Sequence, residues 1–293
     1  MLKLLITGAS GFIGRNLADA FVDRYKVYTP GSAELNLLDS GATRDYLAKH
    51  KFDVVLHSAT TRSNRRLGAP ADMLDRNCRM FFNLAHDEDL FGKMIYFGSG
   101  AEYDRRDLPP RVSEDYFDTQ IPADPYGFSK YICAKYTDHR PKIINLRLFG
   151  VFGKYEDYTV RFLSNACARV VCGLPIVIRQ NVVFDYLYVQ DLAKVTDCFI
   201  ENTPRERSLN VCTGNGRDLL YLAQIIAEVS RKNPEIKILN SGMGPEYTAD
   251  NARLLREIPS LQFEPPEQSI ASLYDWYEEN RNAIDTASLR YDG

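Results

Sequence analysis

Tyr126 and Lys130 stand four residues apart in DPYGFSK, a stretch with helical character, so both side chains leave one helix face. A lysine ammonium beside a phenol favours the phenolate, which suits the tyrosine to move a proton as a general acid or base. Any amphipathic helix can carry this pair, and it gains meaning from two other groups. Ser99, in YFGSGAEYD, follows an apolar strand, where its hydroxyl could hydrogen-bond the substrate oxygen that Tyr126 protonates or deprotonates. A turn serine bonded to its own backbone is the alternative. Gly8, Gly11 and Gly14, in ITGASGFIG, have the spacing of a loop that holds a pyrophosphate. Gly8 permits the turn, Gly11 lets the main chain approach the phosphates, and Gly14 lets helix and strand pack closely. The free N–H groups at the helix start face the anion. Together these groups predict an enzyme that binds a nicotinamide dinucleotide.

Strands must alternate with helices to hold them. Apolar runs predict strands at 2–7, 26–29, 52–57, 93–98 and 142–147, with helices near 12–24, 40–50, 70–90 and 125–139. The strands DVVLHSA and KMIYFGS are almost continuously apolar, as expected when helices cover both sheet faces. The fold class is therefore α/β, a Rossmann-like doubly wound parallel sheet, with Ser99 at the carboxyl edge where such sheets place ligands. Asp39 and Asp124 read as helix N-caps. Past Phe152 the rhythm changes, with helices near 158–172, 191–201, 218–231 and 267–281 and turn-rich loops at 241–247 and 263–268. Residues 1–150 are assigned to a dinucleotide-binding domain with returns from later segments. Residues 151–293 form mainly a smaller C-terminal α/β substrate lobe.

Composition narrows the partners. With 36 Lys+Arg against 39 Asp+Glu and no long charged run, nucleic acid and anionic membrane surfaces are excluded as main partners. Six scattered cysteines without CxxC spacing predict reduced thiols, with neither a disulfide framework nor a metal site. The glycines interrupt the apolar start, so a cytoplasmic protein without a membrane span is expected.

At this point the chain resembles the extended short-chain dehydrogenase/reductases, specifically the nucleotide-sugar epimerase/dehydratase family, over nearly its whole length. TGASGFIGRNL resembles the cofactor loop, VVLHSAT the strand under the nicotinamide half, and Asn77 in DRNCRMFFNLA the helix asparagine. FGSGAEY resembles the active-site serine segment, YGFSK the YxxxK motif, FDYLYVQDLAK the RDFVYVDDLA segment and LNVCTG the late YNIG-type strand. The resemblance implies Tyr126 as acid/base, Lys130 on the nicotinamide ribose and Ser99 on the sugar oxygen. It implies a cofactor site of Gly8, Ser10, Gly11, Phe12, Ile13, Gly14, Arg15, Asn36, Leu37, Ser58, Ala59, Thr60 and Asn77, joined by Tyr126 and Lys130. Asn36 and Leu37 would meet the adenine edge and Ala59 would lie beside the cofactor. The implied chemistry is hydride transfer at a sugar carbon, usually C4, and the implied assembly is a homodimer.

Departures from the family pattern narrow the reaction. The 4,6-dehydratases follow their threonine with Asp-Glu, where Ser99 is followed by Gly100 and Ala101, which disfavours dehydration. SAELNLLDS resembles the fucose-synthase type, whose double epimerisation uses a cysteine and a histidine. Here the cysteine position is Ala101, and no histidine follows His139. Reduction of a 4-keto-deoxysugar nucleotide is the leading expectation, C4 epimerisation the second, and a non-catalytic dinucleotide-binding regulator the third.

NADP or NAD is the expected cofactor. The tip of the second strand offers no carboxylate for a ribose hydroxyl, and Arg15 tips the reading toward NADP. Phe184 replaces the RDF arginine and Gly150 the asparagine of the NVYGP segment. Ser99, Gly100, Ala101, Arg147 and Arg179 are the expected substrate contacts, with Arg161 and the loop arginines Arg62, Arg65 and Arg66 as further diphosphate ligands.

Overall fold

Alternate residues of four strands enter different apolar cores. Leu4 and Ile6 of β1 (Lys3–Thr7) share one cluster with Leu17 and Phe21, whereas Leu5 joins Leu47 and Phe81 on the opposite face. The pattern repeats through β3 (Val54–His57), β4 (Lys93–Ser99) and β5 (Ile143–Leu148). This period of two is what a strand covered on both faces requires. The computed structural model describes residues 1–61, 68 and 70–289. Arg62, Arg65 and Arg66 lie outside the described residues.

The sheet has six parallel strands in the order Ser208–Val211, β5, β4, β3, β1 and β2 (Lys26–Tyr28). Helices α2 (Ser40–His50), α3 (Met73–Ala85) and α4 (Pro125–Thr137) cover one face. Helix α1 (Phe12–Phe21), with Val189–Glu201 and Ala252–Glu257, covers the other. From β1 the chain moves outward to β2 and then returns across β1 to β3. That reversal opens a crevice at the carboxyl ends of β1 and β3. The predicted caps are present: Asp39 accepts from the Ala42 amide and Asp124 from the Gly127 amide, each at 2.9 Å.

A further core is built entirely from residues 152–289, around the helices Phe162–Val171, Leu219–Ser230 and Pro266–Glu279. Two expected loops are shorter than their turn residues suggested. The strand Ile236–Met243 runs into the 241–247 segment by pairing with Ile176–Asn181 through a register shift, and Pro266 opens a helix inside 263–268. Proline's fixed φ suits the first helical turn, which explains the second difference. All six cysteines are free thiols. Among the described residues no helix is long and apolar enough to cross a membrane.

Glu156 is buried beside this further core, with Ser164 Oγ donating to its Oε2 at 2.6 Å. Burial pushes its carboxyl from the usual 4.5 up to about 8, partly offset by Ser164 and Arg161. The folded chain holds this proton more tightly than the unfolded chain, so the contribution to stability is full below the unfolded value and is lost as pH rises through the folded one. Melting curves between about pH 5 and about pH 9 should show the wild type losing Tm relative to Glu156→Gln as pH rises. Parallel curves would remove Glu156 as the titrating group.

Candidate functional site

The end of β4 is fixed before any ligand arrives. Ser99 ends the strand in extended conformation, and its Oγ accepts the Ala101 amide at 3.1 Å. The Ser99 amide donates to Glu102 Oε1 at 3.0 Å, completing a capping box around the Gly100–Glu102 turn. Glu102 is fully buried, and its Oε2 accepts from Asn145 Nδ2 at 2.9 Å and from Arg147 Nε on β5. Burial pushes the Glu102 carboxyl up, opposed by Arg147, Asn145 and the Ser99 amide. Against its own burial, Arg147 is held charged by Glu102. The carboxylate is the form that satisfies every donor around it.

Arg147 is thereby corrected as a substrate contact. Its side chain is 1% exposed, paired to Glu102, with the guanidinium 4.3 Å from the Phe117 ring centroid. It underpins the Ser99 turn instead of facing a diphosphate. Gly100 and Ala101 are buried in that same turn. Arg179 is exposed on the strand Ile176–Asn181, and Arg161 is exposed at the start of Phe162–Val171.

Helix α4 docks directly on this turn. A Cβ at Gly127 would stand 2.7 Å from the Ala101 carbonyl, so the residue after Tyr126 has to be small. Tyr126 is half-buried. Lys130 is 6% exposed, and its Nζ donates to the Phe97 carbonyl at 2.8 Å, two residues before Ser99 on β4. Nζ lies 4.6 Å from the Tyr96 ring centroid and 5.9 Å from that of Tyr126. The structure therefore gathers Ser99, Tyr126 and Lys130 about the end of one strand.

The glycine loop closes against the segment after β3. Gly8 has φ +70°, and a Cβ there would meet Ala59 Cα at 2.7 Å; one at Gly14 would meet Gly8 O at 2.5 Å and Ser58 Oγ at 2.7 Å. Ser58 Oγ donates to the Thr7 carbonyl at 2.7 Å. Gly11 is the N-cap of α1 and supplies no side-chain cap, so no side chain there takes up the first-turn amides. Ser10 and Arg15 are exposed, and Phe12 and Ile13 are half-buried. This cradle has the donor chemistry that a pyrophosphate requires.

Asn77 joins the cradle to α4. Its Oδ1 accepts from the Thr61 amide at 2.7 Å and from Thr60 Oγ1 at 3.4 Å, and its Nδ2 donates to Ser129 Oγ at 3.3 Å. Asn36 Oδ1 accepts from the Leu38 amide at 3.1 Å, and the Leu37 carbonyl accepts from Asn83 on α3 at 2.8 Å. Under the crevice, His57 Nδ1 shares a 2.8 Å hydrogen bond with Thr7 Oγ1. Burial, with Lys130 nearby, pushes His57 down to about 3, so it adds no charge beside the ammonium.

Both departures from the family pattern have local causes. Gly150 has φ +47°, and a Cβ there would come within 2.1 Å of the Asp185 carbonyl, which leaves no room for asparagine. Phe184 lies between Tyr247 and Tyr186, with ring centroids 4.8 and 4.9 Å away. It also walls a cavity of about 250 Å³ with Tyr186, Tyr188, Arg217 and Glu264. Asp185 accepts from Thr213 N and Oγ1 and from Gly214 N, binding the FDYLYV segment to the end of LNVCTG. Sequence reading missed Glu102, whose capping partner three residues earlier was its signal, and Tyr247, whose Oη would stand 2.3 Å from a Cβ built on Gly100. Nothing in the spacing of Tyr247 announced that contact.

The model of the NAD dependent epimerase/dehydratase family matches residues 4–212. GDP-L-colitose synthase of Yersinia pseudotuberculosis is 24% identical over 253 residues, spanning 78% of this chain and 82% of that protein. A GDP-L-fucose synthetase from Naegleria fowleri bound to NADP has a TM-score of 0.82 at 18% identity, covering 96% of this chain and 94% of its own. The UDP-glucose 4-epimerase of Thermotoga maritima, solved with UDP-glucose, has a TM-score of 0.79 at 21% identity, covering 95% and 99%. At these identities the solved structures establish a common fold.

Removing one partner of a buried ion pair leaves the other uncompensated, at a cost of about 3–5 kcal/mol. Glu102→Ala should therefore lower Tm by several degrees, measured by calorimetry. A Tm within about one degree of wild type would contradict the role given to this carboxylate.

Proposed function

We propose that this chain, which belongs to the NAD dependent epimerase/dehydratase family, is a nucleotide-sugar oxidoreductase that reduces a 4-keto-deoxysugar nucleotide. The observation that carries this reading is the chemistry left free at Ser99. The carboxylate of the turn, Glu102, is enclosed by Ser99 N, Asn145 and Arg147, and the neighbouring side chain is only the methyl of Ala101. Elimination of water and abstraction of a proton beside a carbonyl both need a free base at the sugar. Ser99 and Tyr126 offer hydroxyls and Lys130 an ammonium, which suits redox at the carbinol carbon itself.

Gly8, Gly14 and the first-turn amides of α1 would hold the pyrophosphate of a nicotinamide dinucleotide, and Lys130 its ribose. When bound, the nicotinamide supplies the redox partner of the sugar carbon. Ser99 donates to the sugar oxygen, and Tyr126 delivers or removes the proton on that oxygen. Lys130 is held by the Phe97 carbonyl with its Nζ 5.9 Å from the Tyr126 ring centroid, on the side where the ribose would lie. Arg161 and Arg179 would serve the diphosphate in place of Arg147.

Stoichiometry tests the reaction. Reduction of a GDP- or dTDP-linked 4-keto-6-deoxyhexose should consume one NAD(P)H per sugar, and Tyr126→Phe should lower kcat by roughly 10²–10⁴-fold. Interconversion of an intact nucleotide sugar on retained NAD, without net redox, would replace this reading with C4 epimerisation. NADP is the proposed form of the cofactor because Arg15, one residue after Gly14, is an exposed cation, its guanidinium 3.7 Å over the Tyr155 ring. Arg15→Ala should raise Kd for NADPH by about tenfold while leaving NADH unchanged in fluorescence titration. Equal effects on both would remove the preference.

A further inference from the structure

Arg15 stands on the first turn of α1, and its guanidinium lies over a ring from a distant part of the chain, that of Tyr155 on the loop after the strand Val151–Phe152. The ring runs along one face of the helix, because the Tyr155 hydroxyl donates to Asp19 Oδ2 at 3.1 Å and Asp19 is one helical turn beyond Arg15. Three further contacts fix the loop. Asn16 Nδ2 donates to the Lys154 carbonyl at 2.8 Å, and Lys154 Nζ donates to Asp19 Oδ2 at 2.7 Å. Trp276, on the helix Pro266–Glu279, meets the Tyr155 ring edge-on, with centroids 5.6 Å apart and planes at 85°. Tyr155 keeps this place at φ +70°, in the left-handed region that a bulky side chain rarely adopts. Such strain persists only where the surroundings over-determine it, as α1 and Trp276 do here.

A guanidinium only 3.7 Å from a ring centroid is stacked on the ring, which uses its face and leaves its edge. The N–H donors lie in the guanidinium plane, where a phosphate can take two of them side by side. Asp19, the carboxylate one turn along, already accepts from Lys154 and Tyr155, and among the described residues it makes no ion pair with Arg15. Arg15 is exposed. We propose that Tyr155 is a positioning residue for the cofactor, holding the Arg15 guanidinium flat on its ring with the donor edge presented to the 2′-phosphate of NADP. The rotamers that an unsupported arginine loses on binding a phosphate are already fixed by the ring, so the stack contributes to affinity. This rests on the reading of Arg15 given under Proposed function.

Fluorescence titration of NADPH and NADH against four variants tests this without turnover. Tyr155→Leu removes the ring and should raise Kd for NADPH about fivefold while leaving NADH unchanged. Tyr155→Phe keeps the ring and should bind NADPH like the wild type. Tyr155→Leu added to Arg15→Ala should cost nothing further, since the ring acts only through the guanidinium. The inference is overturned by wild-type affinity in Tyr155→Leu, by Tyr155→Phe as weak as Tyr155→Leu, by losses that multiply in the double variant, or by a loss on NADH that Arg15→Ala does not share. The NADP reading fails separately, when Arg15→Ala weakens NADPH and NADH alike. The inference then stands if Tyr155→Leu weakens both and Tyr155→Phe restores both, and falls otherwise. Arg15→Ala binding both dinucleotides like the wild type overturns the reading and the inference together.

Discussion

The buried ion pair between Glu102 and Arg147 is the constraint on which the proposed catalytic centre depends. Two charges away from water are costly, and their attraction repays the cost only when their remaining hydrogen-bonding capacity is also met. Here one carboxylate takes the Ser99 amide on one oxygen and Asn145 with Arg147 on the other. The bond to Ser99 closes the turn, Asn145 and Arg147 lock that turn to β5, and the turn becomes the surface on which α4 rests. The positions of Ser99, Tyr126 and Lys130 therefore follow from a carboxylate enclosed by its own partners. Its engagement has a second consequence, because an acid beside the serine that is already enclosed is withheld from the substrate.

The dinucleotide cradle has a different origin. It arises where the chain reverses direction across the sheet, so that the loop after β1 and the segment after β3 meet at one edge. Close approach decides the residue types there: Gly8 and Gly14 leave no space for a methyl, and Ser58 ties the two segments to the Thr7 carbonyl. Asn77 then spans from this edge to Ser129 on α4, which joins the glycine loop's edge to the helix of Tyr126 and Lys130 through one side chain. A neutral His57 below them adds no positive charge beside Lys130.

Much of this was legible because local rules suffice for it. Strand alternation, the caps at Asp39 and Asp124, and the glycine spacing depend on residues close in sequence, and the helix α2 occupies the expected span of 40–50. Long-range partners were not legible. Arg147 read as a free cation because nothing in the sequence shows that Glu102, 45 residues earlier, will be buried against it. Gly150 and Phe184 read only as departures from the family pattern, and the fold shows an Asp185 carbonyl pressed on one and an aromatic stack holding the other. Tyr247 lay in a segment read as turns, and its place against Gly100 depends on backbone bonds to Val183 and Asp185.

The central proposal is that this site performs redox at a carbinol carbon, with no free base for a carbon acid at the turn of Ser99 among the described residues. Turnover of a 4-keto-deoxysugar nucleotide in D2O, followed by proton NMR of the product sugar, tests it most directly. The account predicts no solvent deuterium on any ring carbon, because the only proton from solvent goes to oxygen through Tyr126. Deuterium at C3 or C5 would show a base acting beside the carbonyl and would contradict it.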